Sequence, residues 1–191
     1  MVIREATEGD ALAVATIHAC SWRSAYRGLL SDQYLEQEVD ADRIRIWRRR
    51  FAELTREDFN VFIAEDAGRA VGFACVLLQK PSLTALLDNL HVMREKQGQG
   101  IGRQLMATVA GWVAERVPGA TLCLWVFERN VAARRFYRML GAIETGVADH
   151  ETPDGLRLPA VRCEWDAPHT LWRNLTGTVP DAVDVTGDST E

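Results

Sequence analysis

Three glycines at alternate positions stand where an apolar run gives way to an amphipathic helix, and their spacing suits anion binding. Gly98, Gly100 and Gly102 lack side chains, so the backbone can adopt φ > 0 and a ligand can approach it closely. The first N–H groups of a helix have no intrahelical partner and carry partial positive charge, which makes a helix start an anion site. We therefore predict that the N–H groups of residues 97–103 hold a diphosphate.

This turn differs from two better-known phosphate-binding loops. No Gly-Lys-Ser or Gly-Lys-Thr follows the glycines, so the segment is not a P-loop. The glycine spacing also departs from the dinucleotide-binding fingerprint, and no first strand of a βαβ unit leads into it. A tight turn whose glycines serve only the backbone geometry remains the alternative interpretation.

Two segments together resemble the GCN5-related N-acetyltransferase (GNAT) superfamily. Residues 97–102, with the pattern Gln-x-x-Gly-x-Gly, follow Leu-His-Val at 90–92 and are similar to the acyl-CoA-binding signature of that family. Residues 130–142, Asn-Val-Ala-Ala-Arg-Arg-Phe-Tyr-Arg-Met-Leu-Gly-Ala, resemble a helix that follows the signature in the same family. The resemblance covers residues 1–165, and it is specific for the superfamily rather than for a substrate.

The resemblance implies both a fold and an activity. The fold would be α/β, a mixed, mostly antiparallel sheet of about seven strands with flanking helices and with strands four and five splayed apart. The activity would be N-acetyl transfer from acetyl-CoA, as co-substrate and without a metal, to the primary amine of a small molecule by direct attack in a ternary complex. Polyamines, amino acids and amine-bearing toxins or antibiotics all fit as acceptors. The alternatives are a protein N-terminal or lysine acetyltransferase, and a non-catalytic acyl-CoA-binding regulatory module.

The resemblance also implies which residues contact acetyl-CoA. A backbone N–H near Val92 would polarise the thioester carbonyl, because negative charge develops on that oxygen during attack. Many relatives have arginine where this chain has Gln97, so Arg103 or Lys96 would supply the lost positive charge, although Arg103 also fits a solvated residue. The expected contacts are Leu90, His91, Val92, Gln97, Gly98, Gln99, Gly100, Ile101, Gly102, Arg103, Asn130, Ala133 and Tyr137.

Two side chains are the catalytic candidates. The resemblance implies Tyr137 as the general acid that protonates the CoA thiolate, and a core tyrosine is the alternative. An amine must lose a proton before attack, so the reaction needs a general base. Asp88 is the first candidate, because it lies on the fourth predicted strand near the proposed acetyl site. His91 and Glu128 are further candidates for this role. Strand alternation allows only one of Asp88 and His91 to face the site unless a bulge intervenes.

The acceptor pocket in this family is built by the first two helices and the last hairpin. Here these segments offer Trp22 and Tyr26, together with Asp88, as substrate-binding residues. Trp22 and Tyr26 lie four positions apart and share a helical face, either as a pocket wall or as core. An aromatic and acidic pocket would suit a small cationic amine. Further candidates for its lining are Tyr34, His150 and Glu151.

The composition is that of an ordinary globular chain and excludes several classes. Its 191 residues predict one domain, placed at 1–166, and a polar, acidic tail at 167–191 that we expect to be poorly ordered. The net charge of −5 and the pI near 5.4 argue against nucleic-acid binding. We expect a cytoplasmic protein without a membrane partner, because no stretch of about 18 apolar residues occurs and the N-terminus lacks signal-peptide features.

The cysteines and the basic residues each have a plain structural interpretation. Four isolated cysteines without a Cys-x-x-Cys pair predict no zinc site. Within the basic run 43–50, apolar residues fall at helical spacing, so we expect the arginines to form a solvated face rather than an anionic partner site. Many relatives dimerise through their C-terminal strands, and the resemblance therefore implies a homodimer.

Hydrophobic periodicity and turn signals predict the elements that must position these residues. Their order is a strand, two helices, three strands, a helix, a strand, a helix and two strands. The helix after the fourth strand makes the parallel crossover to the fifth. The predicted elements cover 2–5, 11–21, 31–53, 59–64, 70–78, 84–93, 100–117, 121–126, 130–140, 142–149 and 158–165.

Overall fold

A computed structural model describes residues 1–53, 57–79 and 82–177. In these ranges the α/β prediction is confirmed, with seven strands in one sheet of order β1-β2-β3-β4-β5-β7-β6 and helices on both faces. The elements are β1 (Val2–Glu5), α1 (Ala11–Ala25), α2 (Val39–Glu53), β2 (Phe59–Asp66), β3 (Arg69–Gln79), β4 (Thr84–Val92), α3 (Ile101–Arg116), β5 (Thr121–Phe127), α4 (Val131–Met139), β6 (Ile143–Glu151), β7 (Arg157–Trp165) and α5 (Pro168–Thr176).

The sheet is antiparallel except where β4 and β5 meet. These two strands pair in parallel only from Thr84 with Thr121 to Leu86 with Cys123. Beyond these positions β4 continues to Val92 and β5 to Phe127, but the two strands no longer pair with each other. The strands therefore separate as predicted. We call the space between the unpaired parts of the two strands the β4–β5 gap.

A β-bulge interrupts β4 at the edge of the gap. Val76 of β3 pairs with Leu87, and the preceding Cys75 pairs with Asn89, so Asp88 is an extra residue on β4. The bulge changes which face of the sheet each side chain reaches. Ala85 and Leu87 belong to the core under α3, and beyond the bulge the same core is contacted by Leu90 and Val92.

The sheet has one apolar core on each face. Beneath α3 the core includes Leu105, Met106 and Val113, all fully buried. Beneath α1 and α2 it includes Trp47 and Phe73, whose rings pack edge to face at 5.2 Å. The two cores fix both helical layers against the strands that border the gap. None of the helices in the described ranges is long and apolar enough to span a bilayer.

The two ends of the described chain correct two sequence predictions. Helix α1 extends to Ala25, beyond the predicted end at residue 21, and therefore includes Trp22. Helix α5 occupies the start of the tail that we expected to be poorly ordered, and that expectation is wrong for residues 168–176. Leu171 is buried there, and Trp172 packs so closely on α3 that a Cβ on Gly111 would lie 3.0 Å from its ring. Tail residues from 178 onward lie outside the described ranges.

Helix α2 corrects the prediction of a solvated arginine face. Arg45 and Arg49 are exposed as expected, with side chains 77% and 68% accessible. Arg43 and Arg50 instead point toward the sheet, and their side chains are 7% and 25% accessible. Both lie on the side of the helix that carries Trp47, because residues 43, 47 and 50 follow helical spacing.

A buried histidine links α1 to α2. The indole Nε1–H of Trp47 donates to Nδ1 of His18 over 3.0 Å, which assigns the proton of neutral His18 to Nε2. Burial lowers the pKa of His18 well below its usual value, and the neighbouring His91, Arg43 and Arg50 lower it further. His18 is therefore neutral in the folded protein at pH values where an unfolded chain would protonate it.

We predict that the free energy of unfolding decreases as the pH falls below about 6.5. In that range the unfolded chain binds a proton at His18 and the folded chain does not, so stability rises with pH. His18→Asn, which keeps an acceptor for Trp47, should remove up to about 1.4 kcal/mol per pH unit from this dependence, measured by denaturant unfolding between pH 7 and 5. His169→Asn on the exposed side of α5 is the control and should change nothing. Equal pH dependence in wild type and His18→Asn would contradict the prediction.

Candidate active site

The glycine-rich turn leads directly into α3. Gly98 and Gly100 have φ of +76° and +81°, a region that L-residues with side chains rarely adopt, and Gly100 is the N-cap of the helix. A Cβ on either glycine would meet no atom within 4 Å, so the positive φ, not crowding, requires glycine. The ladder of α3 begins where Gln104 N–H donates to Gly100 O over 3.1 Å. The N–H groups of residues 101–103 therefore point out of the helix start.

A cleft of about 810 Å³ runs from this turn to the β4–β5 gap, and we call it the cradle cleft. All the predicted acetyl-CoA contacts except Gln99 line it. The Gln99 side chain instead donates to Glu95 O over 3.3 Å. The lining residues among those predicted are Leu90, His91, Val92, Gln97, Gly98, Gly100, Ile101, Gly102, Arg103, Asn130, Ala133 and Tyr137.

The backbone of Val92 faces the gap. Met93 N–H donates to Val71 O of β3 over 2.8 Å. Because neighbouring residues of a strand direct their N–H and C=O groups to opposite sides, the groups of Val92 point toward β5. The Val92 carbonyl is occupied there by the side-chain amide of Gln97, which donates to it over 3.0 Å. The Val92 N–H is thus directed where a carbonyl oxygen in the gap could accept it.

Arg103 and Lys96, the two cations that we expected near the diphosphate, each have a partner elsewhere in the chain. Arg103 Nη2 donates to Asn174 O of α5 over 2.9 Å, and Lys96 Nζ lies 2.6 Å from Asp66 Oδ2. Both residues nevertheless line the cradle cleft. The bond from Arg103 to α5 ties the start of α3 to a helix that the sequence analysis did not predict.

Tyr137 of α4 lines the cradle cleft. It is 8% exposed, its ring packs on Phe136 and Trp165, and burial raises its pKa, so the hydroxyl is protonated at neutral pH. Asn130 also caps α4, because its side chain accepts from Ala133 N–H over 3.2 Å.

Tyr26 lies beside this group and extends the polar surface of the cleft. Burial raises the pKa of Tyr26 to about 12, although the neighbouring Asn130 side chain lowers it in part. The charge of an ionised Tyr26 would oppose ionisation of Tyr137, which places the two phenols in each other's electrostatic range.

The bulge brings two of the base candidates, Asp88 and His91, to one face of the sheet. Asp88 Oδ2 forms an ion pair with Arg50 Nη1 of α2 and accepts from Asn89 Nδ2 over 2.5 Å. His91 Nδ1 lies 2.9 Å from Ser21 Oγ of α1, and its ring stacks on His18 at 4.5 Å. Simple alternation would have separated Asp88 from His91, and the extra residue removes that separation. Burial, followed by the charge of Arg43, lowers the pKa of His91 to about 3.

A second cavity of about 300 Å³ opens on the other side of the gap. Helices α1 and α2 and the β6–β7 hairpin enclose it, and we call it the hairpin cavity. The predicted acceptor residues Trp22, Tyr26 and Asp88 line it, as do His150 and Glu151. The two cavities share five residues and so communicate through the gap; these are Tyr26, Asp88, Asn89, His91 and Trp125.

Tyr34 and Glu128, which we named as further candidates, do not line either cavity. Two arginines that we did not predict do line the hairpin cavity. Tyr34 donates to Asp42 Oδ2 over 2.7 Å, and neither it nor Glu128 is among the residues lining the two cavities. Arg43 and Arg50 do line the hairpin cavity. Their spacing around Trp47 was the available signal, since positions 43, 47 and 50 share one helical face.

Comparison with known proteins agrees with this geometry. The model of the Acetyltransferase (GNAT) family matches residues 12–142. An uncharacterized N-acetyltransferase of Bacillus subtilis, YuaI, is 27% identical over 169 residues, which are 86% of this chain and 92% of that protein.

Two solved structures share the fold. The Thermoplasma acidophilum PaiA N-acetyltransferase in complex with coenzyme A has a TM-score of 0.63 at 18% identity and covers 86% of this chain and 98% of its own. The Salmonella typhimurium yncA acetyltransferase with acetyl-CoA has a TM-score of 0.64 at 18% identity and covers 87% of this chain and 94% of its own. The family match, the relatives and the shared fold together establish that this chain belongs to the GNAT family of N-acetyltransferases.

Proposed function

We propose that this N-acetyltransferase moves the acetyl group of acetyl-CoA to the primary amine of a small molecule in a ternary complex. The observation that carries the proposal is the junction of the two cavities. A reaction by direct attack needs two substrates whose reacting atoms meet, and the cradle cleft and the hairpin cavity share lining residues where β4 and β5 separate. The hairpin cavity has the volume of a small molecule, which favours such an acceptor over a protein chain.

In this proposal the start of α3 binds the CoA diphosphate and the gap binds the thioester. The N–H groups of residues 97–103 donate to the diphosphate, assisted by the dipole of α3. The Val92 N–H donates to the thioester oxygen as negative charge develops on it, an effect that is worth about 10²–10³ in rate for a preorganised donor. Gln97 supports this donor because its bond to the Val92 carbonyl fixes the peptide chain there.

Asp88 and Tyr137 move the protons. Asp88 takes a proton from the acceptor ammonium, directly or through water, and the amine nitrogen then forms a bond to the acetyl carbon. As the carbon–sulfur bond breaks, Tyr137 donates its hydroxyl proton to the departing thiolate, and the proton that the nitrogen loses on becoming an amide restores the Tyr137 hydroxyl, directly or through water. Burial lowers the pKa of His91 to about 3, so its imidazole is a poor proton acceptor, and we assign the base to Asp88, which lines both cavities.

The cradle is tested by acetyl-CoA binding. We expect calorimetry to detect a complex with the wild type, and Gly100→Ala should weaken it by about tenfold, since a side chain at φ near +80° costs about 1–2 kcal/mol. Gly119→Ala is the matched control, because Gly119 has φ of +85° beyond the opposite end of α3. No binding by the wild type at millimolar acetyl-CoA would refute the proposed function.

The role of Tyr137 is tested by Tyr137→Phe, which removes the hydroxyl and keeps the ring. We expect kcat for CoA release to fall by about 10²-fold or more, while calorimetry finds CoA affinity nearly unchanged. An unchanged kcat would remove Tyr137 from the reaction, and an equal loss of CoA affinity would reduce its role to binding.

The role of Asp88 is tested by the pH dependence of Asp88→Asn. We expect the rate at neutral pH to fall by about 10²-fold and to recover in part above pH 9, because more of an alkyl amine with a pKa near 10.4 is then free. Glu128→Gln is the control and should keep the wild-type profile. A wild-type profile in Asp88→Asn would exclude Asp88 as the base.

A further inference from the structure

The hairpin cavity carries positive charge that an ordinary amine-binding pocket does not need. Arg43 and Arg50 both line it, and both come from the inward side of α2. The expectation of an aromatic and acidic pocket accounts for the aromatic residues but not for two guanidinium groups. A cationic acceptor would enter this cavity against like charge unless each arginine were neutralised.

Arg50 is neutralised by the proposed base. Its Nη1 forms an ion pair with Asp88 Oδ2, and its guanidinium carbon lies 5.1 Å from the centre of the Trp47 ring. This arginine is therefore held at the gap by Asp88 and Trp47 and has its counter-charge within the protein.

Arg43 is only partly neutralised. Its Nη2 bonds to Asp42, but the same carboxylate also binds Arg45 and accepts from the Tyr34 hydroxyl. One carboxylate thus serves two guanidinium groups. The Nε of Arg43 is buried and has no hydrogen-bond partner among the described residues. Arg43 is 5% exposed, and a buried donor of this kind is costly unless a ligand accepts its hydrogen bond.

The surroundings of Arg43 hold its head group at the cavity wall. The guanidinium carbon lies 4.3 Å above the Trp22 ring, which leaves the edges of the planar fork as the faces that donate. Burial, and then neighbouring charges that include Arg43, lower the pKa values of the nearby His18 and His91, so both imidazoles are neutral and neither supplies a counter-charge to Arg43. Glu151 is the remaining acidic group of the cavity lining, and it is exposed on the hairpin, where water screens it.

We propose that the acceptor is an amine that also carries a carboxylate, and that Arg43 binds this carboxylate while the amine reaches Asp88 at the gap. The inference rests on the proposed function and narrows its substrate class. Arginine presents two parallel donors that match a carboxylate, and a small zwitterion satisfies Arg43 without adding net charge to the cavity. The cavity volume of about 300 Å³ suits an acceptor of amino-acid size.

The test compares matched acceptor pairs, each an amino acid and the amine that remains after its carboxylate is replaced by hydrogen. We expect wild-type kcat/KM, measured by CoA thiol release, to be higher for the amino acid by about 10–100-fold in at least one pair. A site built to bond a polar group discriminates strongly against the analogue that lacks it. If decarboxylated amines are acetylated as well as or better than their amino acids throughout, the inference is wrong and the proposed function stands.

Variants at two neighbouring arginines assign the preference. Arg43→Gln should bring the ratio of kcat/KM values within a pair close to one, chiefly through a higher KM for the amino acid, and leave the decarboxylated amine nearly unaffected. Arg43→Lys should restore part of the preference by keeping the charge. Arg45→Gln is the matched control, because Arg45 binds the same Asp42 but is exposed and outside the cavity. Loss of the preference in Arg45→Gln and its retention in Arg43→Gln would overturn the assignment.

A binding measurement separates this inference from the proposed function. Calorimetry with free CoA present compares an N-acetylated amino acid with the N-acetylated decarboxylated amine, and no turnover is required. Tighter binding of the acid in wild type, lost in Arg43→Gln, supports the carboxylate site even if no amine is turned over, an outcome that would refute the proposed function alone. Equal binding of the two products would refute the inference.

Discussion

The separation of β4 from β5 is the constraint on which the site depends. After three paired positions the strands diverge, and their facing backbone groups lose the partners that a sheet normally provides. Unpaired strand edges inside a protein are costly, and they persist here because two helical layers hold the sheet on either face of the gap. The result is a place where backbone N–H groups such as that of Val92 are available to a ligand rather than to a neighbouring strand.

The bulge at Asp88 determines which chemistry surrounds that place. A regular β4 would send Asp88 and His91 to opposite faces, and one of the two would lie in the apolar core beneath α3. One extra residue lets Leu87 and Leu90 both contact that core, while Asp88 reaches Arg50 and His91 reaches Ser21 on the other layer. A single register shift therefore gathers the polar side chains at the gap without removing apolar contacts from the core.

The features that could be predicted from the sequence are those that depend on residues close together in the chain. The glycines of the turn, the Asn130 cap and the periodic strands and helices each depend on a few neighbouring residues, and the structure contains them. The bulge could not be predicted in this way, because the sequence of β4 has the pattern of a regular strand around Asp88. The extra residue is evident only from the pairing of β4 with β3. The inward turn of Arg43 and the docking of α5 on α3 likewise depend on distant partners, Trp22 and Gly111 respectively.

The positive charge at the site has one local source and one that depends on distant partners, namely the start of α3 and the inward-facing Arg43. The chain has a net charge of −5, yet positive groups line both cavities, namely the start of α3 at Gly100 in the cradle cleft and Arg43 in the hairpin cavity. Asp88 is paired with Arg50, whereas Arg43 is paired with Asp42 on its own helix. An acceptor that arrived as a simple cation would leave Arg43 buried without a counter-charge on the cavity side. An acceptor that carries both an ammonium and a carboxylate matches both groups at once, because its two charges oppose Asp88 and Arg43 in sign.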